Sequence, residues 1–367
     1  MEFGLNESQE ILKESARKFF AGECAIGEVR RLMETETAFD VELWRKLTEQ
    51  GYTGIVFPEQ YGGVGLGIVE LALLMEEAGR ALLPGPFFST VALAGGVLNE
   101  AGTAEQKKKY LEPICHGRAR ATLAFAEDSA NWDSTDLRMT AANGRLKGEK
   151  LFVMDAAAAD WILVAASNGV FLVDAKAAGV RLSPMRGMDF TRKLYAMQFD
   201  NAAGEKVGET SVLSRALDIA SVALAAEMVG GMQRTLDITV EYAKTRKQFG
   251  KPIGIFQAVQ HQCADMYLET ESARSAVYYA AWALQERAAD AAAAVSIAKI
   301  YASDAARAVG NRGIQVHGGM GFTWENDLHL YYRRAKASET LLGDASYHRE
   351  RLARLVIDAG AVTAQSA

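Results

Sequence analysis

The sequence predicts a mainly α-helical protein with a middle antiparallel β domain, and three observations predict it. Apolar residues recur three and four apart near both ends of the chain, which is the period of an amphipathic helix. Between these regions, short strand-like runs are separated by Asn-Gly turn signals. No GxGxxG motif follows a strand, so a Rossmann domain is not indicated. We therefore predict an N-terminal helical domain (1–118), a β domain (119–211) and a C-terminal helical bundle (212–367).

The composition is that of a large folded chain. Its 367 residues are 49% hydrophobic and 23% charged, which excludes disorder and allows two or three packed units. The net charge of −6, with both signs intermixed, argues against nucleic acid as the main partner. No run of about 18 apolar residues lacks charges, so we expect no transmembrane helix. Three distant cysteines and the polar N-terminus MEFGLNESQE predict no disulfides and no signal peptide, so the expected location is cytoplasmic.

Capping patterns place the helices of the N-terminal domain. Gly51 supplies a stop after one helix, and residues 66–82 are apolar enough for a buried helix. Three helical segments are preceded by an N-cap residue, whose side chain can accept hydrogen bonds from the free N–H groups of the first turn. These residues are Asn6, with Gln9 completing a capping box, Asp40 and Thr103.

Two Asn-Gly pairs place the strands of the β domain. Asn143-Gly144 and Asn168-Gly169 lie between strand-like runs, and Asn-Gly suits the positive φ angles of a tight hairpin. We therefore expect these strands to be antiparallel. The runs are TLAFAE, RMTAA, RLKGEKLFV, WILVAAS, VFLVDA and LYAMQFD.

Two long apolar seams predict helices of the C-terminal bundle. Steps of four and three residues keep each seam on one helix face. Many seam positions are alanine, which lets neighbouring helices approach closely. The first seam contains Val259, Cys263, Met266, Thr270, Ala273, Val277, Ala280 and Leu284, and the second contains Val295, Ala298, Ala302, Ala305 and Val309.

Two stretches of the bundle carry residues suited to an anionic ligand. In YAKTRKQFGKPIGIFQ, Arg246 lies where the helix pattern breaks, and its planar guanidinium can bind a diphosphate, with Phe249 and Gln257 nearby. In IQVHGGMGFTW, Gly318 and Gly319 let backbone N–H groups come close to a ligand. Taken alone, each stretch is explained more simply as a basic helix end or a glycine-rich turn between helices.

Together the two stretches resemble the signatures of the acyl-CoA dehydrogenase family, RxxFG…Q and QxxGGxGF. They read RKQFG from Arg246 with Gln257, and QVHGGMGF from Gln315. Residues 58–82, PEQYGGVGLGIVELALLMEEAGRAL, also look like that family. The resemblance implies an α domain, a β-barrel-like domain and a four-helix bundle. It also implies FAD as the cofactor, an acyl-CoA thioester as the substrate, and electron-transferring flavoprotein as the electron acceptor.

In the family these motifs contact the adenosine diphosphate end of an FAD that is bound mainly by the neighbouring subunit. The resemblance therefore implies a homo- or hetero-oligomer, typically a dimer of dimers. It assigns the cofactor contact to six residues of this chain, Arg246, Phe249, Gln257, Gln315, Gly318 and Gly319.

The chain departs from the family at the catalytic base. The family reaction transfers a β-hydride to the flavin and an α-proton to a carboxylate, which must be basic at neutral pH. Most members carry that carboxylate as a Glu shortly after an RDAK-like segment, where this chain has Leu342. A minority place it on the helix before the RxxFG motif, where this chain has Ala220. Neither side chain can accept a proton.

The chain also departs from the family in two segments that contact the flavin ring. A TEPGAGSD-like segment reads AEDSANWD here, so that Ala126 replaces a Thr and Trp132 replaces a Ser. A Trp-Ile-Thr segment is replaced by Phe152-Val153-Met154. The changes remove hydroxyl groups that would bond the ring and add bulk where the ring or the pantetheine arm would lie.

These departures lead to one hypothesis and two alternatives. Some family members are heteromers, in which one chain carries the base and the ring pocket and a related chain completes the diphosphate contact. This sequence resembles the second kind, so we hypothesise that it is the base-less partner of a Glu-bearing chain. One alternative is a homomeric enzyme with a relocated carboxylate, and the other is a non-enzymatic scaffold.

The relocated base would have to be one of three carboxylates, Asp344, Asp218 or Glu339. Both aspartates lie two residues from a usual base position, and on a helix two residues are roughly 200° of rotation, so neither should face the same way. The five histidines lack the spacing of a metal site, and we expect no metal.

Overall fold

The computed structural model describes residues 4–358. They form two compact units, the first containing residues 4–26, 72–83 and 221–358 and the second residues 27–71 and 84–220. The helices are α1 (Glu7–Glu23), α2 (Ile26–Met33), α3 (Val41–Glu49), α4 (Ile68–Arg80), α5 (Gly96–Ala101), α6 (Ala104–Gln106), α7 (Glu112–Cys115), α8 (Val212–Thr245), α9 (Gln257–Gln285), α10 (Ala291–His317), α11 (Leu328–Thr340) and α12 (Ala345–Ala353). The strands are β1 (Ala121–Ala124), β2 (Ala141–Ala142), β3 (Arg145–Met154), β4 (Trp161–Ala166), β5 (Gly169–Asp174), β6 (Val180–Met185), β7 (Leu194–Ala203), β8 (Glu205–Gly208), β9 (Lys247–Gln248) and β10 (Lys251–Pro252).

The predicted fold class is confirmed, because helices dominate both ends of the chain and strands fill its middle. The predicted caps are also confirmed, with complete capping boxes at Asn6 and Thr103 and a cap at Asp40. Helix α4 is buried over most of its length, as its apolar sequence predicts. The division at residues 118 and 211 stays a prediction.

In the first unit, α10 packs against α9, α11 and α12. The two predicted seams are confirmed as core. On α9 the seam positions from Met266 to Leu284 are buried, while Val259 and Cys263 are half-buried. All five seam positions of α10 are buried, and three of them are alanine, which explains how the helices approach so closely.

Helices α4 and α8 make a second close contact within the first unit. A Cβ atom on Gly230 would lie 1.7 Å from the carbonyl oxygen of Glu76, and one on Gly79 would lie 1.9 Å from that of Glu227. Beside this contact, the buried carboxylate of Glu227 pairs with the buried guanidinium of Arg334. Glycine is therefore required at both positions by the distance between the two backbones.

The second unit is built on two four-stranded sheets, ordered β1-β4-β5-β8 and β2-β3-β7-β6. One apolar core contains side chains of both sheets, such as Val164, Phe171, Leu146 and Met197. The described pairs are antiparallel apart from β1 with β4, which is parallel. The antiparallel expectation fails for this pair because the chain enters the other sheet between β1 and β4, and so returns by a crossover instead of a hairpin.

One predicted turn is confirmed and the other is displaced by one residue. Asn143-Gly144 joins β2 to β3 with φ angles of 50° and 70°. At the second turn Ala166 pairs with Gly169, which leaves Ser167-Asn168 as the connection. The side chain of Asn168 accepts from the N–H of Ala141 (3.0 Å) and donates to its carbonyl (2.8 Å). Asn168 therefore ties the turn to β2 and is not itself the positive-φ residue of a tight turn.

Candidate functional site

The Arg-Lys-Gln-Phe-Gly motif forms a short hairpin after α8. Strands β9 and β10 pair antiparallel, and the N–H of Ile253 donates to the carbonyl of Arg246 (2.8 Å). Phe249 and Gly250 form the turn with φ angles of 51° and 75°, which suit glycine and strain phenylalanine. The side chain of Phe249 is 90% exposed. Its ring has an edge-to-face contact with Phe256 (centroid distance 6.1 Å), which leaves most of its surface open to solvent.

The hairpin also presents three exposed cations, Arg246, Lys247 and Lys251. Within residues 4–358, none of the three has an ion-pair partner, whereas the nearby Lys244 pairs with Glu241 (2.7 Å). Their donors are therefore available to an anionic group, and the fork of Arg246 matches the geometry of a diphosphate.

The glycine motif follows the end of α10. Gly318 has φ 59° and ψ −138°, a backbone conformation that residues other than glycine rarely adopt. A Cβ atom on Gly318 or Gly319 would meet no atom within 4 Å. Crowding inside the chain therefore does not require glycine at position 319, which is consistent with close approach by a ligand or another chain.

The structure brings the two motifs together. The ring of Tyr242, one turn before Arg246, stacks on the ring of His317 with a centroid distance of 4.2 Å. His317 is buried, and its Nδ1 atom lies 2.8 Å from the carbonyl oxygen of Gly313. Burial lowers the pKa of His317, which favours the neutral ring. The ends of α8 and α10 are thereby held next to each other.

The two glutamines of the motifs are exposed near these helix ends. Gln257 is the first residue of α9, and Gln315 lies in the last turn of α10. The six residues assigned to cofactor contact thus all belong to the first unit, and their side chains or backbone are accessible at its surface.

The two usual base positions are occupied by buried hydrocarbon. Leu342 is 2% exposed and follows the end of α11, while Ala220 is fully buried within α8. Leu342 has a φ of 58°, a left-handed conformation that is uncommon for a branched side chain. The backbone at this position is therefore held by something other than the local preference of leucine.

Two buried side chains hold the turn that contains Leu342. Nε2 of His348 lies 3.0 Å from the carbonyl oxygen of Leu342. Lys299 is fully buried, and its Nζ atom donates to the carbonyl oxygens of Ser338 (3.1 Å), Glu339 (3.0 Å) and Gly343 (2.9 Å). The Lys299–His348 clamp thus binds the carbonyls that α11 leaves free at its end.

Sequence reasoning missed the Lys299–His348 clamp. A signal for Lys299 is present, because it is a cation directly beside Ala298 in an otherwise apolar seam. Burial lowers the pKa of Lys299 to about 7, although Glu339 and Asp344 favour its charged form. The three carbonyl contacts match the three N–H donors of the ammonium form, and a neutral amine would keep only two of them.

The clamp predicts a loss of stability in mild acid. Burial, with Lys299 nearby, lowers the pKa of His348 to about 3, whereas a histidine of the unfolded chain titrates near about 6.5. As the pH falls below that value, the unfolded chain binds a proton that the folded chain excludes. The free energy of unfolding should therefore fall by about 2 kcal/mol between about pH 6.5 and pH 5.

A glutamine at position 348 provides the control for this prediction. His348→Gln removes the titrating ring but keeps an amide that can donate to the carbonyl of Leu342. Urea denaturation near neutral pH and near pH 5 should show a smaller loss of stability for the variant than for the wild type. Equal losses in the two proteins would contradict the assignment of this pH dependence to His348.

Two of the carboxylates considered as relocated bases have partners within the fold, and the third is buried. Glu339 pairs with Arg307 (3.0 Å) and Lys336 (2.7 Å). Asp344 caps α12 by accepting from the N–H of Tyr347 (2.8 Å). Asp218 is buried on α8. Glu339 and Asp344 are therefore engaged in contacts within the fold.

The segments compared with the flavin-ring contacts lie in the second unit. Ala126 is buried, and the ring of Trp132 stacks on that of Phe125 with a centroid distance of 5.4 Å and an interplanar angle of 12°. Phe152 has a φ of 55° and lies in a bulge of β3. The predicted loss of a hydroxyl at position 126 is therefore accompanied by an indole that covers the adjacent aromatic ring.

Within the described part of the chain, no group of three or more His, Cys, Asp and Glu side chains is arranged to hold a metal ion. The helices of residues 4–358 include none with the length and apolar character needed to cross a membrane.

Family models match both ends of the chain. The model described as "Acyl-CoA dehydrogenase, N-terminal domain" matches residues 6–118, and "Acyl-CoA dehydrogenase, C-terminal domain" matches residues 209–357. Among curated relatives, acyl-CoA dehydrogenase IpdE2 of Mycolicibacterium smegmatis is 34% identical, with 96% of this chain and 98% of that protein covered.

Solved structures show the same similarity. A variant of the steroid ACAD Tcur3481-Tcur3483 matches with a TM-score of 0.90 and 33% identity, covering 97% of this chain and 99% of the solved chain. The ChsE4-ChsE5 complex from Mycobacterium tuberculosis matches with a TM-score of 0.89 and 30% identity, covering 96% and 98%. The similarity therefore extends over almost the whole chain.

Proposed function

Because the chain belongs to the acyl-CoA dehydrogenase family, whose members bind FAD and oxidise CH–CH groups, we propose that it is the base-less subunit of a heteromeric member. In this role it completes the contact with the adenosine diphosphate end of an FAD held by a related, Glu-bearing chain. The Glu-bearing chain supplies the carboxylate that removes the α-proton of the acyl-CoA thioester. FAD supplies the hydride acceptor.

One observation carries the proposal. The hairpin of β9 and β10 presents Arg246, Lys247 and Lys251 without ion-pair partners in the described residues, and its tip exposes Phe249 in a strained conformation. The edge of the Phe249 ring meets Phe256 (centroid distance 6.1 Å), but most of the ring is open to solvent. The exposed ring and cations suit a flat group and a diphosphate supplied from outside. The adjacent Gly318 and Gly319 leave room for that group to approach the backbone.

The missing base supports the same role. A hydrocarbon side chain at Leu342 or Ala220 cannot take a proton from the substrate, and both residues are buried. Two of the similar structures bear titles that name two chains, Tcur3481-Tcur3483 and ChsE4-ChsE5. A hetero-oligomer, as a dimer of dimers, would supply the carboxylate that this chain lacks.

Electron-transferring flavoprotein is the electron acceptor that we propose for the complex, in the cytoplasm. A relative from Acetobacterium woodii is named "Caffeyl-CoA reductase-Etf complex subunit CarC", and a similar structure has electron transferring flavoprotein in its title. These names support the choice of acceptor. The two electrons delivered to FAD with the hydride would leave the complex through it.

The proposal is tested by measuring flavin in the purified chain, alone and with its partner. We expect the chain alone to be colourless and inactive, and to become yellow and active toward acyl-CoA when co-purified with a Glu-bearing homologue. A chain that is yellow and active alone would overturn the proposal in favour of a relocated base. A colourless chain that acquires no flavin with any related chain would favour a scaffold.

The proposed diphosphate contact makes a sharper prediction about Arg246. Arg246→Ala removes a charge-assisted hydrogen bond worth about 1.5–3 kcal/mol, so FAD should bind the complex about 10- to 100-fold more weakly. Lys244→Ala is the matched control, because Lys244 lies two residues away but already pairs with Glu241. Fluorescence titration with FAD measures both. Equal effects of the two substitutions would contradict a specific role for Arg246.

A further inference from the structure

A stacked pair of aromatic rings distinguishes the second unit. Phe125 is almost completely buried, and Trp132 lies nearly parallel to it, at an interplanar angle of 12°. The buried Nζ atom of Lys150 donates to the carbonyl oxygen of Phe125 (2.9 Å) and so holds its backbone. One face of the Phe125 ring is thus covered by the indole of Trp132.

The loop that carries Trp132 is anchored on both sides. Glu127 accepts from Lys150 (2.7 Å) and from the backbone N–H groups of Arg138 and Met139 (both 3.0 Å). Asp133, next to Trp132, accepts from the N–H (3.0 Å) and the hydroxyl (2.8 Å) of Thr135. These bonds hold the loop independently of any ligand, so the indole is placed by the fold itself.

Positions 126 and 152, which replace flavin-ring contacts of the family, offer little for a ring to hydrogen-bond. Ala126 has no hydroxyl, and its carbonyl accepts from the N–H of Leu151 (2.8 Å). The N–H of Phe152, in the bulge of β3, donates to the sulfur of Met185 (3.4 Å). A ring with polar edges would therefore find neither a side-chain hydroxyl at position 126 nor a free N–H at position 152. These residues do not fit a flavin ring.

We infer that, in this chain, the indole of Trp132 takes the place of a flavin ring beside Phe125. The segment around Phe125 is called the ring wall below. Trp132 thereby determines which of the flavin sites in the oligomer can be filled. The inference rests on the proposed function, in which this chain lends a diphosphate contact to its partner. Where the partner supplies the ring wall, flavin binds. Where this chain supplies the ring wall, the indole of Trp132 stacks on Phe125 and no flavin ring binds there. The oligomer would then hold one FAD for every two chains.

The test replaces Trp132 in the full chain and measures whether the variant binds FAD more tightly, and whether any gain depends on the flavin ring. Trp132→Ser and the double variant Ala126→Thr/Trp132→Ser are titrated with FAD and, separately, with ADP, which lacks the ring. We expect FAD to bind the double variant at least about tenfold more tightly than the wild type, because stacking and a hydroxyl contact become possible. Binding of ADP should be unchanged.

Two control variants make the result specific. Trp132→Phe keeps a flat ring on Phe125 and should gain no affinity for FAD. Trp161→Phe alters another half-buried tryptophan of the same unit, whose ring packs edge-to-face on Tyr110 (5.0 Å), and should also gain none. If Trp132→Ser does not fold, flavin counted in the native complex decides the question. One FAD for every two chains supports the inference, and one for every chain overturns it.

The outcomes separate this inference from the proposed function. A wild-type chain that is colourless alone, together with folded variants whose affinity for FAD is unchanged, would overturn the role of Trp132 and leave the proposed function standing. A gain of FAD binding in the variants, with a wild-type chain that no related chain activates, would support Trp132 and overturn the heteromeric role. An equal gain for FAD and ADP would also overturn the inference, because the effect would not lie at the ring.

Discussion

Glu227→Gln is expected to lower the free energy of unfolding by about 3–5 kcal/mol. Glu227 and Arg334 form a buried ion pair, and their side chains are only 3% and 6% exposed. The substitution keeps the size of the side chain but replaces the carboxylate charge that Glu227 presents to Arg334 with a neutral amide. Arg334 also donates to the carbonyl oxygen of Leu83 (3.3 Å), but a neutral carbonyl does not replace the charge of a carboxylate. Urea denaturation followed by circular dichroism measures the change.

A surface pair provides the control for the buried one. Glu350 pairs with Arg354 at 3.2 Å, but their side chains are 64% and 60% exposed. Glu350→Gln should change stability by less than about 1 kcal/mol, because water already screens that pair. The double variant Glu227→Gln/Arg334→Met should recover much of the lost stability, since it removes both buried charges. A loss at Glu227 no larger than that at Glu350 would refute the argument.

Gly230→Ala is expected to destabilise the protein by about 3 kcal/mol or more, the upper end of the range for overpacking. The added methyl group would lie 1.7 Å from the carbonyl oxygen of Glu76 and 2.7 Å from the N–H nitrogen of Arg80. Both are backbone atoms, so the clash is relieved only by moving α4 and α8 apart. Helix propensity works in the opposite direction, since alanine favours a helix by about 1 kcal/mol over glycine.

The next residue makes a matched comparison. A methyl group on Gly231 would have its nearest neighbour at 4.0 Å, the carbonyl oxygen of Gly79. Gly231→Ala should therefore leave stability unchanged or raise it by up to about 1 kcal/mol. Thermal unfolding of the two variants should give shifts of opposite sign or very different size. Similar shifts would mean that the α4–α8 contact relaxes more easily than the structure indicates.

The features predicted from the sequence are those encoded by neighbouring residues. The capping boxes at Asn6 and Thr103 and the Asn143-Gly144 turn depend on groups within about four residues, and the α9 and α10 seams depend on helical period alone. Each of these was confirmed. Motif spacing identified Arg246 and Gly318 as candidates for cofactor contact, which stays a prediction. The structure adds the Tyr242–His317 stack that brings the two motifs together.

The features that were missed depend on residues far apart in the chain. Lys299 acts on carbonyls about forty residues later, which no local pattern reveals. The parallel pairing of β1 with β4 depends on how the chain crosses between sheets. Trp132 and Phe125 are only seven residues apart, but their stacking depends on the hydrogen bonds that Glu127 and Asp133 accept within the loop. These bonds fold the loop so that the indole lies over the Phe125 ring. Sequence reasoning identified the substitution at position 132 without its geometry.

The Lys299–His348 clamp has a consequence for how such a chain can diverge. Lys299 of α10 and His348 of α12 hydrogen-bond to backbone carbonyl oxygens around position 342. The path of the main chain there is therefore set by atoms that every amino acid shares. A substitution could exchange a carboxylate base for leucine at this position without changing the fold of the turn. The shape of this turn is thereby separated from the chemistry of the side chain that it presents.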